Sequence, residues 1–207
     1  MKPPRPTGLP RSYRWALVTA VVLGFQVALS AAFDVQGALS LDEPPPMVGK
    51  EAELPGLGLS PLAQRQVWLA SVSGYKSALQ AMLPWRLGTS LLLSISAGLV
   101  FFLAMRLRVS LEDRVAVAVN LGRASLAAAI FRSIDGAESL VMARTIADET
   151  GKAFVREGLA NADIALMTAG VSFASGAWTL MMVAGFVTLG HYFRSETLRD
   201  ALGRAEP

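Results

Sequence analysis

The sequence predicts an all-α membrane protein with three transmembrane helices, an extracytoplasmic amphipathic helix and a cytoplasmic helical hairpin. Three observations lead there. Residues 164–193 contain no charged side chain between Asp163 and Arg194. A helix rises about 1.5 Å per residue and a bilayer core of about 30 Å needs about 20 apolar residues, so this run exceeds the requirement. Two shorter apolar runs, 15–33 and 87–105, echo it. Finally, 53% of residues are hydrophobic and 17% charged, mean hydropathy is +0.44, and the charges collect between the apolar runs. That pattern belongs to repeated spans rather than to one large soluble core.

Composition also excludes some functions. The net charge is +3 and the basic residues are dispersed, so nothing points to nucleic acid. Cysteine is absent, which removes disulfides, thiolate metal sites and cysteine nucleophiles. The excess of Arg over Lys, with abundant Ala, suggests a bacterial inner membrane by association.

Residues 1–14 form a basic tail with Lys2, Arg5, Arg11 and Arg14, and its prolines disfavour helix. The first span, 15–33, opens on Trp15, suited to the interface. Within it Ala20, Gly24 and Ala28 fall every fourth residue, between Ala16 and Ala32. Such a ladder of small side chains lets helix backbones approach closely in lipid. A cleavable signal peptide over residues 1–32 is the competing reading, with a basic start and small residues at Ser30, Ala31 and Ala32. The anchored span is preferred.

Residues 34–60 are rich in Pro and Gly and read as an extracytoplasmic linker. Ser60 followed by Pro61 is a good helix start. Over 61–83, Trp68, Val72, Tyr75, Leu79 and Met82 share one face of an amphipathic helix. This face suits core packing, the membrane interface, or a partner helix or apolar ligand. Pro84 is expected to end or kink the helix, with Trp85 and Arg86 marking the interface. The second span, 87–105, carries Ser90, Ser94 and Gly98 as another small ladder and stops at Arg106 and Arg108.

Residues 109–160 read as a helical hairpin turning at Asp135-Gly136. Its first helix is apolar on two sides, through Val115, Val119, Leu126 and Ile130 and through Val117, Leu121, Ala124 and Ala128, so it needs two neighbours. Arg123 and Arg132 argue against a fourth span here, since central charges cost a few kcal/mol each. Glu138, Arg144, Asp148 and Glu149 form a solvated charged face, with no His or Cys to complete a metal set.

Residues 164–193 form one long helix, capped by Asn161, whose membrane part begins near Val171 and which carries Ser172 and Gly176 as a small pair. His191, the only histidine, fits an interface anchor. Residues 194–207 are a short charge-balanced tail. Counting basic residues by side favours an amino terminus in the cytoplasm and a carboxyl terminus outside, although Arg194 and Arg199 disagree.

No nucleophile elbow, phosphate-binding Gly motif or intramembrane charge pair appears, so the sequence supports neither an enzyme nor an ion-coupled transporter. It implies no cofactor and no metal. The favoured function is a non-enzymatic membrane protein acting through helix packing, as an accessory subunit, assembly factor or signal relay. The expected partners are the lipid bilayer and other membrane subunits or a second copy. A small homo-oligomeric pore or transporter component is the alternative.

Overall fold

The described residues form five helices: α1 (Arg11–Leu39), α2 (Pro61–Val109), α3 (Arg114–Arg156), α4 (Asn161–Arg194) and α5 (Glu196–Gly203). The structure, a computed structural model, describes residues 9–40, 60–109, 113–158 and 161–204. Most of the 34–60 linker and residues 1–8 of the basic tail lie outside the described residues, and the Asn161 side chain is likewise not described. Four helices, α1 to α4, are long and apolar enough to cross a membrane.

The helix ends follow local chemistry. Ser60 caps α2, its Oγ accepting from the Ala63 amide at 3.2 Å. Gly158, at φ +87, turns the chain out of α3 in the left-handed region that favours glycine. Ser195 caps α5 by accepting from the Leu198 amide at 3.4 Å, and α5 buries Leu198 and Leu202. The carboxyl-terminal tail is thus a short packed helix.

Two boundaries differ from the sequence reading. First, α2 is one helix of 49 residues that runs through Pro84, so the amphipathic segment 61–83 and the apolar segment 87–105 are not separate elements. Proline removes one helix hydrogen bond. Here the residues around it, Leu79, Met82, Leu83 and Leu87, pack in one cluster with Ala38, Ala78 and Met142, which holds the helix together across the gap. Second, α3 is one helix of 43 residues through Asp135-Gly136, so the hairpin over 109–160 is not formed. Gly136 is buried and Asp135 is held by Arg86, described below, and these contacts outweigh the roughly 1 kcal/mol that glycine costs a helix. As one helix, α3 is also long and apolar enough to cross a membrane despite Arg123 and Arg132, so four helices qualify by length and composition where the sequence reading counted three.

The chain packs as two compact units. Unit 1 comprises Met1–Asp34, Thr89–Ile134 and Thr179–Pro207; unit 2 comprises Val35–Gly88 and Asp135–Trp178. Unit 1 has a continuous apolar core in which Phe186, Phe193, Leu93, Leu121, Leu198 and Leu202 are fully buried. Unit 2 has a smaller core of Ala38, Ala78, Leu79 and Met142.

Contacts inside the units bring together segments that the sequence count set apart. Within unit 2, Ser71 and Thr150 hydroxyls lie 3.0 Å apart. The amphipathic segment and the later part of 109–160 are therefore neighbours, where the sequence count set them on opposite sides of a membrane. Within unit 1, Ser12 and Tyr192 hydroxyls are 3.0 Å apart and the Tyr13 and Phe193 rings meet edge to face at 6.5 Å. The start of α1 and the end of α4 are therefore neighbours.

Candidate helix-packing site

The closest helix contact in unit 1 is built on glycine. Ala20 is fully buried on α1, and one turn on, a methyl in place of the Gly24 hydrogen would sit 2.8 Å from the Phe101 amide nitrogen and 2.9 Å from the Ala97 carbonyl oxygen. Only a residue without a side chain allows α1 and α2 to approach this far. Another turn on, Ser94 Oγ donates to the Ala28 carbonyl at 3.1 Å. The Phe25 and Phe101 rings then meet at 5.7 Å beside the glycine.

The partner face on α2 is not the whole of the expected ladder. Ser94 reaches α1, and Ser90 is buried, but nothing lies within 4 Å of a side chain added at Gly98. Ala97 and Phe101 take that place. Ser172 and Gly176 are not brought to the site: Gly176 is open, and Ser172 lines a cleft in unit 2.

A second close contact escaped the sequence reading. A methyl at Gly122 on α3 would lie 2.9 Å from the Gly190 carbonyl oxygen on α4, and one at Gly190 would lie 2.7 Å from Leu126 Cγ. The available signal was the small series Ala118, Gly122, Ser125 and Ala129, all buried, at helical spacing.

Opposite these small faces the helices present large apolar residues. On α1, Trp15, Val18, Val22, Phe25, Leu29 and Phe33 are exposed at steps of three and four, while Leu17, Ala20, Val27 and Ala31 are buried. On α2, Leu91, Leu92, Ile95, Leu99 and Phe102 are exposed while Leu93, Ala97, Val100 and Ala104 are buried. The apolar stretch of α4 is the least covered, with 11% of it buried.

Unit 2 packs differently. Of the expected amphipathic stripe, Leu79 is buried, Trp68, Val72 and Met82 are half-buried, and Tyr75 is exposed. The deeper face of α2 lies one step round, at Ala63, Val67, Gly74 and Ala78. A methyl at Gly74 would be 3.2 Å from the Ile146 Cα and from the Glu149 Cβ, which explains why small residues, not aromatic ones, make the contact.

Arg86 fastens α2 to α3. Its Nη1 lies 2.9 Å from Asp135 Oδ1 and 3.8 Å from Glu138 Oε2, and it donates to the Asp135 carbonyl at 3.2 Å and to Ser139 Oγ at 3.0 Å. The Asp135 and Arg86 side chains are 1% and 11% exposed. The turn signal and the interface marker read separately in the sequence are therefore the two halves of one buried ion pair. Glu138 belongs to this cluster rather than to a solvated face. Glu149 instead pairs with Lys152 at 2.6 Å on an exposed surface.

Among the described residues no group of three or more His, Cys, Asp or Glu is placed to hold a metal ion, and His191 is exposed near the end of α4. Unit 2 also contains an open cleft of about 300 Å³ between α2, α3 and α4, lined in part by Ser71, Ile146, Thr150, Phe154 and Val171. No family model matches the chain, and no curated protein or solved structure is similar to it.

Proposed function

We propose that the chain is an integral membrane protein that acts through helix packing, without chemistry of its own, as an accessory subunit, assembly factor or signal-relaying component of a membrane assembly. One observation carries this reading: on α1 and α2 a row of large apolar side chains lies exposed opposite the packed face. In water each exposed large side chain forgoes about 1.5–3 kcal/mol of burial; in lipid it forgoes nothing, because lipid tails are as apolar as leucine. Close backbone contact at Gly24 then supplies the association that the hydrophobic effect cannot supply inside a bilayer.

On this reading α1, the later part of α2, the earlier part of α3 and the later part of α4 cross the membrane. Both chain ends then lie on one side of the membrane, as four crossings require, and we assign that side to the cytoplasm. Arg14, Arg106, Arg108, Arg114, Arg194, Arg199 and Arg204 flank these crossings on the same side as the ends, which agrees with the preference of basic residues for the cytoplasm. Residues 61–83 and 140–156 then lie across the membrane, where α2 and α3, as unbroken helices, can transmit a change in packing along their length.

The absence of native cysteine makes the topology directly testable. Ser73→Cys should react with a membrane-impermeant maleimide on intact cells, and Ser195→Cys only after permeabilisation. Labelling of both positions on the same side would sink the four-crossing arrangement. For the function, purification at native expression level should yield a membrane partner at constant stoichiometry in two different detergents. Recovery of a monodisperse chain without partner from both would argue against a subunit or assembly factor.

A further inference from the structure

The cleft of about 300 Å³ in unit 2 is not used by the packing described above. We propose that it holds one acyl chain of a bilayer phospholipid. Its lining contains no charged side chain. Ile146, Phe154 and Val171 provide apolar walls, and Ala143, Ala147 and Gly151, at every fourth residue of α3, keep one wall low. Of its hydroxyls, Ser71 lies 3.0 Å from the Val67 carbonyl, Thr150 lies 2.7 Å from the Ile146 carbonyl, and the two hydroxyls lie 3.0 Å from each other. Those two groups are satisfied internally and make no demand on a ligand.

Size and chemistry select the occupant. An extended peptide would bring amide and carbonyl groups that these walls cannot satisfy. An anion or cation finds no counter-charge. A hydrocarbon chain needs neither partner nor charge, and the volume is at the lower end of the range for small-molecule sites.

The bilayer is the source because α4 carries both surfaces. Val171, 63% exposed, forms part of the cleft wall, and the uncharged run of the same helix continues to Leu180 and Met181, which are also exposed. That run is longer than the roughly 20 residues a bilayer core requires. Its early residues therefore carry an apolar path beyond the hydrocarbon, and the path ends at the cleft.

The test uses the full-length protein reconstituted in phosphatidylcholine vesicles with a diazirine-bearing acyl chain. After irradiation, cross-links should map to residues 143–154 of α3 and to the region of Leu180. Ala147→Trp, which fills the cleft, should lower the α3 cross-links at least tenfold and leave those near Leu180 within twofold. If Ala147→Trp does not fold, Val171→Glu at the exposed rim should lower the same α3 signal several-fold. Label confined to the Leu180 region, or an unchanged α3 signal in the folded variant, overturns the proposal. Loss of the α3 signal on adding an equimolar free fatty acid overturns the choice of phospholipid. Absence of label at both segments overturns the membrane reading itself, so the two failures are distinguishable.

Discussion

Unit 1 and unit 2 solve the same problem, holding long helices side by side, with different chemistry. Unit 1 does it sterically: a broad apolar core, two glycine contacts at Gly24 and at Gly122 with Gly190, and large apolar residues turned outward. Unit 2 has few buried apolar residues and relies on polar ties, with Arg86 bound to Asp135, Glu138 and Ser139 and with Ser71 beside Thr150. The difference matters because steric contacts tolerate no added atoms, whereas polar ties tolerate no missing ones.

Four substitutions break or sharpen this contrast, in falling order of effect. Asp135→Ala should destabilise unit 2 by about 3 kcal/mol, because it removes the carboxylate 2.9 Å from the largely buried Arg86 guanidinium. Denaturant titration in detergent would show it, and the pair Arg86→Met with Asp135→Leu should recover most of the loss. Gly24→Leu should cost about 1–3 kcal/mol by overpacking against the α2 backbone. Hydrogen exchange should place its effect on α1 and on the later part of α2, leaving residues 140–154 protected. Ser71→Ala should cost about 1 kcal/mol or less, since Thr150 retains the Ile146 carbonyl. Gly98→Leu should change stability by about 0.5 kcal/mol or less, since nothing lies near that position. Equal costs for Gly24→Leu and Gly98→Leu would mean that the glycine contact in unit 1 is not what holds α1 against α2.

The helical class, the long uncharged run in α4 and the small series on α1 were all legible in the sequence. Each depends on residues close together in the chain. What was not legible depends on partners far apart. Pro84 and Asp135-Gly136 are genuine local stop signals, and both are overridden by tertiary contacts: the cluster of Leu79, Met82 and Leu87 with Met142, and the 2.9 Å pair between Arg86 and Asp135. Reading them as breaks led to a hairpin and to a missing fourth candidate span. The aromatic stripe on 61–83 misled for another reason. Periodicity identifies an apolar face, but closest approach is decided by which face is small, and Gly74 and Ala78 lie beside the aromatic stripe rather than on it. Gly24 and Gly98 looked equivalent by spacing; only the position of the neighbouring backbone separates them.

The Gly24 contact has a thermodynamic consequence. Where a side chain would point at the Ala97 carbonyl oxygen, glycine presents a Cα hydrogen, a geometry that supports a weak C–H···O bond of about 0.5–1 kcal/mol. Formed within a bilayer, as proposed, such a bond and the dispersion contacts around it release no water from apolar surface, so they lack the heat-capacity signature of hydrophobic burial. The α1–α2 contact should therefore keep its strength on cooling, when associations driven by water weaken. Its enthalpy of separation should be nearly constant with temperature.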